Sequence, residues 1–202
     1  METSSFNPES QQSNSASKVL VALERISKAF HSLLWDTAKK VGLSPIQIQI
    51  LIFIGYHKKE LSTISHLAKE FNLTKPTISD AVKTLEHKKL LKKSISISDK
   101  REYYISLTKQ GKNIHSIVEN YAEPIKNDLL DADQSDIDNL FTIISKVIYK
   151  LNRSGILTVQ RTCYGCKFYS EKKENHYCEL LKKTLLDNEI RVDCPEYKKR
   201  VA

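Results

Sequence analysis

Hydrophobic residues recur with helical spacing in two adjacent segments near the middle of the chain. Each stripe follows the i, i+3, i+4, i+7 pattern of an amphipathic helix. The first consists of Ile64, Leu67, Ala68 and Phe71, and the second of Ile78, Ala81, Val82 and Leu85. Between them the chain is polar, and Thr74 followed by Pro76 is a typical helix start, placing the second helix from about Lys75. The pattern predicts two helices joined by a tight turn.

The next segment changes from helical spacing to alternation. Serine and isoleucine alternate over Ser94–Ser98, and Tyr103–Leu107 is rich in aromatic and β-branched residues. The charged residues Asp99, Lys100 and Arg101 separate the two runs. These features predict a β-hairpin with a charged tip. Helix, turn, helix and hairpin in this order are typical of a winged helix-turn-helix that reads duplex DNA.

Positive charge is concentrated in this part of the chain. The whole sequence has a formal net charge of +8. Residues 75–101 contain eight Lys or Arg against three Asp or Glu, a net charge of +5. Such a segment suits phosphate neutralisation, although charge runs also occur on ordinary solvated surfaces. The candidate DNA contacts are the outward polar residues of the second helix and the hairpin tip: Lys75, Thr77, Ser79, Asp80, Lys83, Thr84, Lys100 and Arg101.

Two longer helical stripes flank the winged-helix segment. The first, within residues 18–41, consists of Leu23, Ile26, Phe30, Leu33, Leu34 and Val41. The second, within residues 136–152, consists of Leu140, Ile143, Ile144, Val147, Ile148 and Leu151. Periodicity alone fits either core packing within one chain or contact between two copies.

The chain resembles the multiple-antibiotic-resistance regulator (MarR) family over about residues 18–152. Leu43–Gln47 is similar to the start of the family's second helix, and Asp99–Thr108 followed by Gly111 is similar to its wing and next helix. The resemblance implies a mainly α fold (α+β) with a winged helix-turn-helix and long dimerisation helices. It also implies a DNA-binding transcriptional regulator, here expected to be a repressor.

Further roles are implied by the same resemblance. The terminal helices would form a two-fold homodimer that binds a pseudo-palindromic operator, with recognition helices about 34–36 Å apart. Asp99 would brace Arg101 within the wing. Lys100 stands where the family usually has a second arginine, and because lysine lacks the planar fork, we expect weaker probing of the minor groove. A small-molecule effector is a further expected partner.

The segment Ile46–Ile54 is ambiguous by pattern alone. It alternates at its start and is rich in β-branched residues, as half-buried strands are. However, Ser44 and Pro45 form a good helix start, and Ile50, Phe53 and Ile54 fit a helical stripe. Together with the resemblance, these signals predict a helix that is buried on most sides.

All four cysteines lie in the last fifth of the chain, at Cys163, Cys166, Cys178 and Cys194. The spacing C-x2-C-x11-C-x15-C predicts one tight pair and two ligands carried by an intervening loop and helix, which together make a closed tetrahedral metal site. Gly165 is expected to permit the turn within the pair. The terminal segment has too small a core to fold without such a staple.

Several alternatives to a zinc site remain open at this point. Disulfides require an oxidising compartment, and a thioredoxin-like pair lacks its βαβ context. Zinc is favoured over an iron–sulfur cluster, although Cys194–Pro195 is similar to the end of some cluster motifs. His176 could replace one ligand, but a solvated loop histidine is the simpler interpretation. Nearby Arg161, Lys167, Lys172 and Lys173 would offset the charge of the site or extend the DNA footprint.

The expected organisation has three parts. Residues 1–17 contain six serines and no basic residue, which indicates a disordered tail. Residues 18–155 form the DNA-binding and dimerisation domain, and residues 156–202 form the metal module, either a structural staple or a sensor. No apolar run reaches about 18 residues, so we expect no membrane span and a cytoplasmic location. No catalytic motif is present; a DNA-binding sacrificial cysteine that accepts alkyl groups is the only enzyme alternative considered.

Overall fold

The computed structural model describes residues 4–95, 103–172 and 175–200. The helices in these ranges are α1 Pro8–Ser13, α2 Ser15–Val41, α3 Pro45–Tyr56, α4 Ile64–Glu70, α5 Lys75–His87, α6 Lys109–Val118, α7 Glu123–Leu130 and α8 Gln134–Arg153. Strands β1 Leu91–Ile95 and β2 Tyr103–Leu107 form an antiparallel hairpin. Strands β3 Tyr169–Lys172, β4 Asn175–Cys178 and β5 Lys183–Leu185 form a second antiparallel sheet. The fold is mainly helical with small sheets.

Side-chain caps fix the starts of the central helices. The hydroxyl of Thr74 accepts a hydrogen bond from the backbone N–H of Thr77 at 3.3 Å and begins α5, as the sequence predicts. Ser44 and Gln47 form a reciprocal capping box at the start of α3. The segment after Ser44 is therefore a helix, and the helix prediction is confirmed. Its strand-like sequence reflects burial on several sides, because such a helix is apolar all round.

The winged-helix core lies between α3, α5 and the hairpin. The predicted inner stripe of α5 is buried in full, at Ile78, Ala81, Val82 and Leu85. Helix α6 approaches the hairpin closely at Gly111, where an added Cβ would lie 2.0 Å from the carbonyl oxygen of Leu90. Thr108 caps α6 by accepting from the N–H of Gly111 at 2.9 Å. The core thus holds the outer face of α5 beside the wing.

The first residues and the hairpin differ from the sequence-based expectation. Residues 8–13 form α1 where a disordered tail is expected, and the side chain of Asn7 caps it at the N–H of Glu9. The side chain of Asn14 then caps α2, which begins at Ser15.

Strand β1 begins at Leu91 and not at Ser94, because pairing with β2 extends to Leu107. The predicted tip residues Asp99, Lys100 and Arg101 lie outside the described residues.

The long helices α2 and α8 leave much of their apolar stripes open to solvent in the single chain. On α2 the exposed members include Leu23, Ile26 and Phe30. On α8 they include Leu140, Ile143 and Val147, with Ile143 61% exposed. Core packing within the chain therefore does not account for these stripes. Within the described ranges, no helix has both the length and the apolar character needed to cross a membrane.

Residues after α8 form a small unit with a core of its own. Cys166, Tyr169, Leu185 and Ile190 are buried there, and Phe141 of α8 packs against them. The sequence predicts a helix between the cysteines. This prediction is wrong, since strands β3, β4 and β5 occupy that region. Gly165 does not use a left-handed conformation either; an added Cβ there would lie 3.2 Å from the Tyr197 hydroxyl. The expected tight turn is present, since Cys163–Gly165 forms a single helical turn, but it requires no left-handed backbone at Gly165.

Candidate DNA-reading surface and cysteine cluster

Helix α5 presents a polar face opposite its buried stripe. Ser79 is half-buried, and the remaining predicted contact residues of this helix are exposed: Lys75, Thr77, Asp80, Lys83 and Thr84. Hydroxyl, carboxylate and ammonium groups on one face of a helix can read base edges and contact phosphates. The placement fits the predicted role, which stays a prediction.

Local hydrogen bonds restrict part of this face. The Thr84 hydroxyl donates to the carbonyl oxygen of Asp80 at 2.9 Å, and the Thr74 and Thr77 hydroxyls lie 2.8 Å apart. The ammonium of Lys83 lies 3.4 Å from the Asp80 carboxylate, with both side chains well exposed. Exposed ion pairs of this kind contribute little to the free energy of folding. Lys83 can therefore exchange its carboxylate partner for a phosphate.

The stem of the wing is attached to α5 and to the residues just before α4. Helices α4 and α5 are the two helices of the helix-turn-helix, called here the reader. Lys93 on β1 donates to Glu86 on α5 at 2.5 Å. The N–H of Ile105 on β2 donates to the carbonyl oxygen of Ser62, just before α4, at 2.9 Å. These bonds fix the direction in which the hairpin leaves the core. The predicted contact between Asp99 and Arg101 lies outside the described residues, and it stays a prediction.

The four cysteines meet in the terminal unit. Cys163 and Cys166 flank a single helical turn, Cys178 ends β4, and Cys194 lies on a later loop. All four line one cavity of about 30 Å³ together with Phe168, Tyr169, Leu180, Leu185 and Glu196. None of the four forms a disulfide. The structure thus gathers residues that are 31 positions apart along the chain.

The electrostatics of this cavity disfavour negative charge in the absence of a cation. Burial raises the pKa of the Cys163 thiol, and the other three cysteines raise it further. The backbone N–H of Arg191, which donates to Cys163 Sγ at 3.3 Å, acts in the opposite direction. In the part of the chain that is described, no three His, Cys, Asp or Glu side chains converge closely enough to hold an ion as they stand.

His176 is neither solvated nor in a loop, so the simpler interpretation of it is wrong. It lies on β4 with its side chain 14% exposed. One ring nitrogen, Nδ1, lies 2.7 Å from the Tyr169 hydroxyl, and the other, Nε2, lies 3.1 Å from the Asp187 carboxylate. Both nitrogens are engaged outside the cysteine cavity. Pairing within the small sheet explains its burial, since His176 faces Glu171 on β3 and Leu185 on β5.

A partly buried ion cluster joins the terminal unit to the winged helix, and sequence reasoning missed it. Arg161 donates through two nitrogens to the Glu70 carboxylate on α4, at 2.7 and 3.0 Å. The same guanidinium donates to Asp193 at 2.5 and 3.1 Å, and His57 Nε2 lies 2.8 Å from Asp193. The Arg161 and Glu70 side chains are 11% and 17% exposed. No local pattern marks pairs that are 91 and 136 residues apart.

The charges in this cluster stabilise one another. Burial alone would raise the pKa of Glu70, but the nearby His66 ring, whose Nε2 lies 3.5 Å from the carboxylate, and the hydrogen bonds from Arg161 outweigh it and lower the pKa from 4.5 to about 2. For Arg161, burial acts to lower the pKa, and the bonds to Glu70 and Asp193 more than reverse that effect. Glu70 and Arg161 are therefore both ionised at neutral pH.

The winged-helix segment is similar to one known family. Residues 41–102 match the model of the MarR family. This match spans α3, α4, α5 and β1, and it ends before the cysteine cluster. No curated protein matches the chain.

Solved structures of MarR-type proteins share the fold. Staphylococcus aureus MepR in a complex with DNA is 20% identical with a TM-score of 0.57, over 65% of this chain and 96% of that one. MepR in its DNA-binding conformation is 19% identical with a TM-score of 0.59, over 66% and 98%. Staphylococcus aureus MarR in complex with salicylate and kanamycin is 18% identical with a TM-score of 0.59, over 68% and 93%. The chain thus has a winged-helix fold of the MarR type.

Proposed function

We propose that this protein is a MarR-type transcriptional regulator, most simply a repressor, that binds duplex DNA and is not an enzyme. The observation that carries the proposal is the exposed polar face of α5 beside a fixed wing stem, in a segment with a net charge of +5. This face carries hydroxyl, carboxylate and ammonium groups, of the kind that read base edges in the major groove and contact phosphates. The likeness to MepR solved with DNA adds support through the fold.

DNA binding can be tested with a matched pair of lysine variants. Lys83 on α5 and Lys126 on α7 are both exposed, and each pairs with an acid three residues earlier. After selection of a preferred operator from random DNA, Lys83→Ala should weaken binding and lower the salt slope of log K by about 1. Lys126→Ala should leave both unchanged. Equal effects of the two variants would refute the assignment of α5 as the recognition helix.

The proposed regulator acts as a homodimer on a pseudo-palindromic operator. The exposed apolar stripes of α2 and α8 support this, because apolar patches of such extent mark interaction surfaces. Two-fold symmetry of the protein would match a two-fold operator. The Staphylococcus aureus MarR neighbour was solved with small molecules. A small-molecule effector for this protein is part of the same proposal.

The proposed cofactor is one zinc ion held by Cys163, Cys166, Cys178 and Cys194. The convergence of four thiols on one cavity of about 30 Å³ supports it. Zinc favours four sulfur ligands in structural sites, and we expect the thiolates to close in on the ion when it binds. Metal analysis of the purified protein should give about one zinc per chain. A brown protein with several irons per chain would favour the alternative of an iron–sulfur cluster.

A further inference from the structure

The terminal unit that holds the four cysteines, called here the cysteine unit, contacts the ends of α3 and α4 and also contacts α8. We propose that it is a brace whose zinc loading sets the DNA affinity of the reader. This inference rests on the proposed function, because it assumes both the zinc site and DNA binding. It adds a mechanism based on the ion cluster described above, called here the brace cluster, which consists of Arg161, Glu70, Asp193 and His57. The brace cluster transmits the state of the metal site to α4.

On the reader side, the polar contacts fall at the ends of α3 and α4. Glu70 is the last residue of α4 and receives both hydrogen bonds from Arg161. The Thr158 hydroxyl donates to the carbonyl oxygen of Lys69, also in the last turn of α4. Lys58, just after α3, lies 2.8 Å from Glu196. The cysteine unit thus holds the first helix of the reader at its C-terminal end, and α5 follows after one short turn.

The metal ligands and the brace cluster share the same stretch of backbone. Arg161 lies two residues before Cys163, and Asp193 directly precedes Cys194. The N–H of Cys194 donates to the carbonyl oxygen of Arg161 at 3.0 Å, and a parallel bridge joins Arg161 to Asp193. Closure of Cys163 and Cys194 on one ion therefore fixes the backbone from which Arg161 and Asp193 reach the reader. Loss of the ion releases that constraint.

The cysteine unit also packs against α8. Phe141 of α8 enters the small core, and the rings of Tyr149 and Tyr164 lie 5.9 Å apart. The Asn188 amide donates to Asp138 at 3.3 Å. By contrast, the described winged-helix core contains no side chain from α8. The unit thereby links the reader to the helix whose outer face carries an exposed apolar stripe.

The junction combines polar contacts with an aromatic one, since the Arg161 guanidinium also lies over the Phe53 ring of α3, 5.4 Å from its centroid. A cavity of about 330 Å³ opens beside the brace cluster, lined by Lys58, His66, Arg161, Cys194 and Glu196 among others. Ion pairs and hydrogen bonds require short distances and good alignment, whereas apolar contacts tolerate small shifts. A junction of this kind responds to small displacements of Cys194, which lines the same cavity.

The test is a comparison of zinc removal in the wild type and in Glu70→Gln. Zinc content and affinity for the selected operator are measured on the full chain, before and after treatment with a chelator. Zinc removal should weaken operator binding by the wild type at least tenfold, about 1.4 kcal/mol. Zinc-loaded Glu70→Gln should retain one zinc and bind more weakly than the wild type. Its affinity should then change less than twofold when zinc is removed.

Glu123→Gln provides the control, because Glu123 also pairs with a lysine but is exposed and lies on α7. Zinc removal should weaken operator binding by Glu123→Gln as much as it weakens binding by the wild type. If Glu70→Gln does not fold, His57→Gln removes another bond of the brace cluster and should reduce the response in the same direction. The inference alone is overturned if the loaded wild type binds zinc and DNA but zinc removal changes nothing, or if Glu70→Gln responds as the wild type does. A purified protein with no zinc, or no DNA binding when loaded, overturns the proposed function as well.

Discussion

Glu70→Gln also tests how strongly the cysteine unit is held to the winged helix. Burial acts to raise the pKa of Glu70, but the nearby His66 ring and the hydrogen bonds from Arg161 lower it from 4.5 to about 2. A difference of this size between the folded and unfolded chain corresponds to about 3 kcal/mol at neutral pH. The contribution is complete above about pH 4.5 and is lost as the pH falls towards 2, so an assay at pH 7 measures all of it.

The Glu70→Gln variant should lose somewhat less than this full contribution to the free energy of unfolding. A glutamine presents one oxygen where the carboxylate presents two, so Arg161 keeps one hydrogen bond from this side and retains its pair with Asp193. We therefore expect a loss of about 2 kcal/mol. For a chain of this length that corresponds to a decrease in Tm of about 4–8 °C. Calorimetry of the zinc-loaded protein at pH 7 measures this shift.

The same substitution at an exposed position calibrates the result. Glu123 forms an ion pair with Lys126 at 3.0 Å, and both side chains are open to solvent. Glu123→Gln should leave the Tm within about 1 °C of the wild type, since exposed pairs contribute little. If Glu70→Gln behaves like Glu123→Gln, the brace cluster is solvated in the working protein, and both the magnitude and the coupling argued from it are wrong.

Three further predictions concern assembly, metal and packing. Ile143→Asp should convert a dimer to a folded monomer in sedimentation velocity, because Ile143 is 61% exposed in the single chain; a persistent dimer would exclude α8 from the interface. Cys178→Ser should lose most of the bound zinc yet keep the helical circular dichroism of the winged helix; an unchanged zinc content would contradict the four-cysteine site. Gly111→Ala should lower the Tm, since its Cβ would lie 2.0 Å from the Leu90 carbonyl oxygen, and an unchanged Tm would mean that α6 moves aside freely.

Local signals explain why the winged helix could be predicted from the sequence. The inner stripe of α5 and its Thr74 cap both depend on neighbours within one or two turns. The same holds for the Ser44 cap, which outweighs the strand-like composition that follows it. In each case the determining interaction spans three or four residues, and a linear pattern contains it. The outward placement of Lys83 follows directly from the burial of Val82 and Leu85.

The sequence predicted that the four cysteines of the terminal unit come together, but not the structure that brings them together. The four cysteines stand out by type and spacing, and the structure brings them to one cavity. Strands β3, β4 and β5 have three or four residues each, too short for alternation to be recognised. His176 owes its burial to cross-strand neighbours, and the brace cluster joins positions far apart in the chain. Such pairings arise from tertiary packing, which no local window records.

The brace cluster also changes the interpretation of the basic residues near the cysteines. Four thiolates around Zn²⁺ carry a net charge of −2, and Arg161 is expected from sequence to offset it. In the structure its guanidinium instead faces the carboxylates of Glu70 and Asp193. Among the described residues, a backbone donor does point at the sulfurs, since the N–H of Arg191 lies 3.3 Å from Cys163 Sγ. Arg161 is thus committed to the contact with α4, which is the arrangement that coupling between metal and reader requires.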